Sequence, residues 1–318
     1  MQLRRFLNKI SLVLLLSTPV IIISCDKKEE ENRPEIGHTI GAQVFTDSNF
    51  STFGLAIVNA NLARTLNETG PFTLFAPDDS AFGRSGITQT FINTLSPGQL
   101  QAFVLYHTLN SKTSIIDLPP GPNAKIITAS GDSVFITKNT SGIYINGVKI
   151  TQADINADNG FIHKIDRVLN PPVGTNVGTV VANGLDSLAK AIIIADTAAS
   201  GDSVLVDSLN LASLTIFAPT NAAFTTWLTA LSVSSIEEIP IATLLTILRY
   251  HVVPGRVFSS DLADGPLTML AGGTTVISVS NPPTIIGTGN GTDTSNIIAT
   301  NIMSRNGVVH LIDRVLLP

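Results

Sequence analysis

The chain states one pattern twice. Thr73-Leu-Phe-Ala-Pro-Asp-Asp-Ser-Ala-Phe82 returns as Thr215-Ile-Phe-Ala-Pro-Thr-Asn-Ala-Ala-Phe224. Tyr106-His107 returns as Tyr250-His251, and Asn159-Gly-Phe-Ile-His-Lys-Ile-Asp-Arg-Val-Leu-Asn-Pro171 as Asn306-Gly-Val-Val-His-Leu-Ile-Asp-Arg-Val-Leu-Leu-Pro318. The three blocks keep their order, and the offset between copies grows by only a few residues along the chain. A repeat this long excludes solenoids built on units of roughly 20 to 50 residues. It predicts two homologous domains, each large enough to bury its own core and fold independently.

Each block has a physical reading. Thr73-Leu-Phe-Ala is a short strand that Pro77 ends, because proline donates no ladder hydrogen bond. Asp78, Asp79 and Ser80 then offer N-cap oxygens to a helix beginning near Ala81-Phe82. Pro219, Thr220 and Asn221 do the same in the second copy. Ser96-Pro-Gly-Gln99 is a capping box with proline at the first helical position. The helix it opens places Leu100, Phe103, Val104 and His107 on one face, and Leu244, Ile247, Leu248 and His251 repeat that spacing. Both histidines are expected in the core, hydrogen-bonded rather than ligating. Asn159-Gly160 and Asn306-Gly307 are hairpin-turn dipeptides opening the last strand of each copy. Along that strand His163 and Arg167 share one face and Lys164 and Asp166 the other. Asp166 and Arg167 therefore cannot pair with each other. His163 and Asp166, with their counterparts His310 and Asp313, are read as structural residues tying the last strand to earlier elements.

The first residues read as an address. Arg4, Arg5 and Lys9 precede an apolar run, Ile10 to Ile23, that is shorter than the ~20 residues a membrane-spanning helix needs. This is the layout of an export signal over residues 1–24. Ile21-Ile-Ile-Ser-Cys25 resembles the lipobox of bacterial lipoproteins, which makes Cys25 the expected lipidation site and the membrane anchor. Cys25 is the only cysteine, so no intrachain disulfide is available. The charged stretch from Asp26, within residues 25–37, lacks apolar periodicity and reads as a tether. It resembles the acidic segment that directs some lipoproteins of the Bacteroidetes to the outer face of the outer membrane. The expected location is therefore the outer membrane or cell surface.

The formal charge is −5, and there is no stripe of Lys and Arg, so no footprint for nucleic acid. Only 14% of residues are charged; Thr, Ser and Asn fill the polar positions, which suits strand-rich exported modules. No His-x-x-x-His or Gly-x-Ser-x-Gly motif and no catalytic constellation of paired glutamates is recognisable. Gly287-Thr-Gly-Asn-Gly-Thr292 lacks the lysine of a phosphate loop and lies where a hairpin turn is expected. No enzyme activity, metal site or cofactor is predicted.

The three motifs, in two copies, resemble the fasciclin (FAS1) domain over residues 38–171 and again over 175–318. The resemblance implies an α+β fold for each module, a wedge of β-sheets with packed helices, and a non-enzymatic role in adhesion at cell surfaces or in extracellular matrix. It places candidate adhesive residues at Tyr106, His107, Asp154 and Ile155 in the first copy and at Tyr250 and His251 in the second. There Asn301-Ile302 stands where Asp154-Ile155 would recur, so the carboxylate is lost. The expected partner is an extracellular protein, a glycan or a second copy of the chain. The alternative is a carbohydrate-binding accessory lipoprotein for polysaccharide capture, which the scarcity of tryptophan and tyrosine disfavours. Trp227, three residues after Phe224 on a helix, is expected in the core.

Overall fold

A computed structural model describes residues 37–68, 70–198 and 204–318. The export signal and Cys25 lie outside the described residues, as does nearly all of the tether. Residues His38–Pro318 form one compact unit, and both sheets and every core cluster lie inside it.

The first half runs α1 (Ile40–Thr46), α2 (Ser51–Asn59), β1 (Phe72–Pro77), α3 (Asp79–Arg84), α4 (Gln89–Thr94), α5 (Pro97–Tyr106), β2 (Thr108–Leu109), β3 (Ala124–Ile127), β4 (Ser133–Asn139), β5 (Gly142–Ile145), β6 (Val148–Ala157) and β7 (Gly160–Ile165). The second half repeats the strand plan, with three helices before its first strand and two after it: α6 (Asn176–Ala182), α7 (Asp186–Ala198), α8 (Val204–Leu211), β8 (Leu214–Pro219), α9 (Asn221–Ala230), α10 (Ile241–Tyr250), β9 (Val252–Pro254), β10 (Gly265–Thr268), β11 (Thr274–Ser278), β12 (Thr284–Gly287), β13 (Ser295–Met303) and β14 (Gly307–Ile312). Each half is α+β and builds a seven-stranded sheet, in the order β2-β1-β7-β6-β5-β4-β3 and its counterpart β9-β8-β14-β13-β12-β11-β10. All pairs are antiparallel except β1 with β7 and β8 with β14. The long strand β6 pairs with β7 along one part and with β5 at its start, and its register slips twice between Ile150 and Ile155. Bulges of this kind bend a strand and sharpen its twist, which lets one sheet fold into the two-sided wedge.

Alternation along β1 explains the two cores. Leu74 and Ala76 face the helices, with Phe53, Phe82, Phe103 and Ile162. Phe75 faces the other way, against Tyr106, Val134, Ile136, Ile145 and Ile165. In the second half Ile216 and Ala218 face the helices with Phe224 and Trp227, while Phe217 faces Tyr250, Ile277 and Ile285. A strand covered on both faces has no polar position to spare, hence the unbroken Thr-Leu-Phe-Ala and Thr-Ile-Phe-Ala. The helix after the proline corner is capped by Asp78 and starts at Asp79, two residues earlier than the sequence suggests; Thr220 caps its repeat. The Ser96 capping box forms with Gln99 as N3.

The Asn159-Gly160 expectation needs correcting. The turn residues are Asp158 and Asn159, and Gly160 is already strand, paired with Ala157. The glycine is required because β1 runs parallel beside it: a Cβ on Gly160 would collide with the Phe72 carbonyl, and one on Gly307 with the Leu214 carbonyl. Asn159 is buried, and its side chain ties two earlier segments to the turn. Its Oδ1 accepts from Ile40 N at 2.8 Å, and its Nδ2 donates to the carbonyls of Leu66 and Glu68 at 2.9 and 2.7 Å. Asn306 repeats this toward Asn176, Leu209 and Ala212. The true Asn-Gly hairpin is Asn146-Gly147, with φ of 50° and 73°, joining β5 to β6. That dipeptide between two apolar-alternating runs was the available sequence signal for it.

Candidate functional site

The Tyr-His motif is a clamp. At the end of α5, His107 Nδ1–H donates to the Phe103 carbonyl at 2.9 Å, which leaves Nε2 to accept from Leu169 N at 3.0 Å. His251 makes the same two bonds, to Ile247 O at 2.8 Å and from Leu316 N at 2.9 Å. The central motif thus holds the end of the last motif in each half. Burial lowers both imidazoles to a pKa of about 4, offset in part by the backbone acceptor. Neutral rings suit the clamp, because a protonated Nε2 would meet an N–H donor. Tyr106 donates to Ser133 O at 3.1 Å and accepts from Asn146 Nδ2 at 2.9 Å, and burial pushes its phenol well above the ordinary value. Tyr250 reaches Thr274 O from the same position.

This corrects four of the candidate adhesive residues. Tyr106, His107, Tyr250 and His251 are at most 2% exposed, so no partner meets their side chains on the folded surface. The motif shapes what lies beside it rather than presenting itself.

Asp154 and Ile155 are placed differently. Asp154 sits in the bulge of β6 with φ of 54°, a conformation that aspartate and asparagine tolerate better than other side chains. Its Oδ1 accepts from Ile115 N at 2.8 Å, fixing the loop that follows β2, and its own N–H donates to His163 Nδ1 at 3.1 Å. Nε2 of His163 then lies 3.0 Å from the Thr113 carbonyl on the same loop. Burial lowers the His163 pKa, opposed by the Thr113 carbonyl and the Asp154 charge. Around this frame lie exposed Lys112, Ile116, Asp154 and Asn156 and half-buried Phe161. Lys112 Nζ stands 4.7 Å from the Phe161 ring centroid, a cation–π contact. The result is a ledge formed by the loop after β2, the β6 bulge and the start of β7. Ile155 is half-buried and packs toward the helical core.

The second half keeps the frame with asparagine. Asn301, φ 62°, accepts from Ser259 N at 2.8 Å, and His310 Nε2 meets the Val257 carbonyl at 2.9 Å. The Asp-to-Asn change therefore preserves both the backbone conformation and the acceptor while removing the charge. His310 Nδ1, unlike that of His163, has no hydrogen-bond partner.

The last motif closes each sheet as its charges require. Asp166 accepts from Lys149 N at 3.0 Å, tying the end of β7 to the start of β6, and Arg167 donates to the Arg84 carbonyl at 2.8 Å. Asp313 accepts from Asn296 N at 2.7 Å, and Arg314 pairs with Asp293 at 3.2 Å. Pro77 and Pro219 end β1 and β8 opposite Ile165 and Ile312. Among the described residues no group of three or more His, Cys, Asp or Glu side chains is placed to hold a metal ion, and no helix is long and apolar enough to cross a membrane.

Comparison with known proteins agrees with the motifs. The chain is 26% identical to human periostin over 295 residues, which is 89% of this chain and 32% of periostin. It is 36% identical over 116 residues to the immunogenic protein MPB70 of Mycobacterium bovis, 36% of this chain and 54% of that protein. The chain thus spans about a third of periostin and about half of MPB70. Among solved structures it is similar to a FAS1 domain pair from the insect cell adhesion molecule fasciclin I, with 16% identity, 84% of this chain and 96% of that chain covered, and a TM-score of 0.39. The fasciclin domain model matches residues 48–171 and 195–318, and with most of its length so matched the chain belongs to the fasciclin-domain family.

Proposed function

We propose that the protein is a non-enzymatic adhesion lipoprotein, anchored through Cys25 at the outer membrane or cell surface and binding an extracellular partner through its first half. Membership of the fasciclin family supports the adhesive reading. The observation that carries it is the ledge beside Asp154, where a carboxylate, a lysine and an 83% exposed isoleucine, Ile116, stand on a frame of internal hydrogen bonds. A rigid backbone that presents mixed apolar and charged groups suits protein recognition. Glycan capture draws less support, because Trp227, Tyr106 and Tyr250 all bury their rings. Beads coated with residues 38–318 are expected to retain source cells or matrix proteins above uncoated beads. Asp154→Asn, which keeps the hydrogen-bond acceptor and removes the charge, should weaken retention without lowering stability. Absence of retention across a panel of matrix proteins, glycans and source cells would end the adhesive reading.

A further inference from the structure

The two halves join through surfaces that differ from one another. Phe135 of β4 packs on Phe258, ring centroids 6.1 Å apart, with Met303 and Val308 completing a small core. The Arg256 guanidinium lies 4.3 Å from the Phe135 centroid on the same side. Asn123 Nδ2 donates to the Arg256 carbonyl at 2.8 Å and Asn139 Nδ2 to the Ser260 carbonyl at 3.1 Å. Gly147, in the Asn-Gly hairpin, sits so close to the Asn301 amide that a Cβ would lie 2.6 Å from it. The first half therefore contributes a sheet edge, β3 to β5 with their turns. The second half contributes its ledge: the loop after β9, the β13 bulge and the start of β14.

Because the halves are repeats, each owns both surfaces, and one of each is free. The first half's ledge is mapped onto the second's by shared hydrogen bonds: Ile115 to Asp154 matches Ser259 to Asn301, and His163 to Thr113 matches His310 to Val257. Lys112 thus stands for Arg256, Ser114 for Phe258, Ile116 for Ser260 and Phe161 for Val308. The second half's edge follows from register. Ala124 pairs with Ile136 as Gly265 pairs with Ile277, so Val276 stands for Phe135 and Ser280 for Asn139. Val276 is 50% exposed, an apolar side chain on an open sheet face.

We propose that the free edge of one chain, around Val276, docks on the free ledge of a second copy, around Lys112, Ile116 and Phe161, repeating between molecules the contact that joins the halves within one. The two surfaces are not self-complementary, so the contact is head-to-tail and adds chains in a row rather than closing a symmetric dimer. Its composition is altered: by the same register Asp264 stands for Asn123, so the amide donor to the Arg256 carbonyl is not repeated. The Phe135–Phe258 ring pair gives way to valine and serine, the cation is kept as lysine, Ile116 adds apolar surface where the second half has Ser260, and Phe161 replaces the smaller apolar Val308. Within a chain a short linker supplies an effective concentration on the order of mM. Between chains, crowding on a surface must supply it. The proposal deepens the adhesive reading, on which it rests for its setting, by naming a second copy as the partner.

Residues 38–318 contain no cysteine, which permits a clean test. Ile116→Cys and Ser280→Cys replace exposed side chains, the counterparts of Ser260 and Asn139, which are hydrogen-bonded across the existing interface. Oxidation of an equimolar mixture of the two single variants at high concentration should give a disulfide-linked dimer containing one of each. Either variant alone should give about tenfold less. Adding Val276→Asp to the Ser280→Cys chain should cut the mixed dimer about tenfold, equivalent to about 1.4 kcal/mol, with an unchanged melting midpoint. Equal yields from mixed and single variants, no dimer at all, or insensitivity to Val276→Asp would each overturn the proposal. Bead retention that persists in any of those cases would leave adhesion standing with a different partner.

Discussion

Mild acid should destabilise this protein before most of its carboxylates titrate. His107, His251 and His310 are buried, and burial lowers each from 6.5 to about 4. The unfolded chain binds protons at these positions below about pH 6.5, whereas the folded chain refuses them until about pH 4. Their stabilisation is therefore complete above 6.5 and is lost as pH falls through that window. At about 1.4 kcal/mol per pKa unit, each costs about 3 kcal/mol by pH 4 and about 2 kcal/mol at pH 5. Two of the three lie in the second half with Trp227, the only tryptophan, so its fluorescence should register a loss of about 4 kcal/mol between pH 7 and pH 5. That is a large fraction of the ~5–15 kcal/mol that holds a typical domain together. Urea titrations of residues 38–318 at the two pH values, followed by tryptophan emission, measure the difference directly. At pH 5 most exposed carboxylates remain ionised, so the histidines dominate the change. His251→Gln should be less stable at pH 7 but lose only about half as much on going to pH 5. A wild-type stability unchanged within about 1 kcal/mol between the two pH values would refute the reasoning, since the method resolves that much.

Two further outcomes are expected, one from the strand packing and one from the lipobox-like sequence. Gly160→Ala and Gly307→Ala should destabilise by at least the ~1–3 kcal/mol of a typical overpacked core site, read as a lowered urea midpoint, because the added methyl meets the backbone of the neighbouring parallel strand rather than a movable side chain. Cys25→Ala should abolish incorporation of labelled fatty acid into the exported chain, whereas equal labelling of both proteins would rule out lipid anchoring at this residue.

What could be read from the sequence was local. The Ser96 cap needs only Gln99 three residues on, and the burial of His107 follows from Leu100, Phe103 and Val104 on the same helical face. The second bond of His107, from Leu169 N, joins two motifs far apart in the chain and left no trace in spacing. Gly160 was misassigned to a turn because the dipeptide Asn-Gly is a strong local signal, while the reason for the glycine is a parallel strand that arrives from Phe72. Tyr106 was nominated through the family resemblance alone, yet its ring packs in the core with Phe75 of β1 and Val134 and Ile136 of β4. The contact between the halves was hidden for another reason: Phe135 alternates with Val134 and Ile136 as any core strand residue does, and nothing local marks that its face is covered by the other half.

The pairing of β1 with β7 has a consequence for how the chain is made. The first motif of each half cannot finish its ladder until the last motif has emerged, so closure waits on a long loop, the condition that slows folding most. Meanwhile the repeat supplies a near-copy of the missing strand, since Gly307-Val-Val-His-Leu-Ile carries the same glycine, histidine and apolar alternation as Gly160-Phe-Ile-His-Lys-Ile. Exchange of these strands between halves, or between crowded chains, is the misassembly this architecture invites. Synthesis from the N-terminus works against it, because β7 is delivered before β8 or β14 exists and the first half can shut its sheet while its only eligible partner is its own.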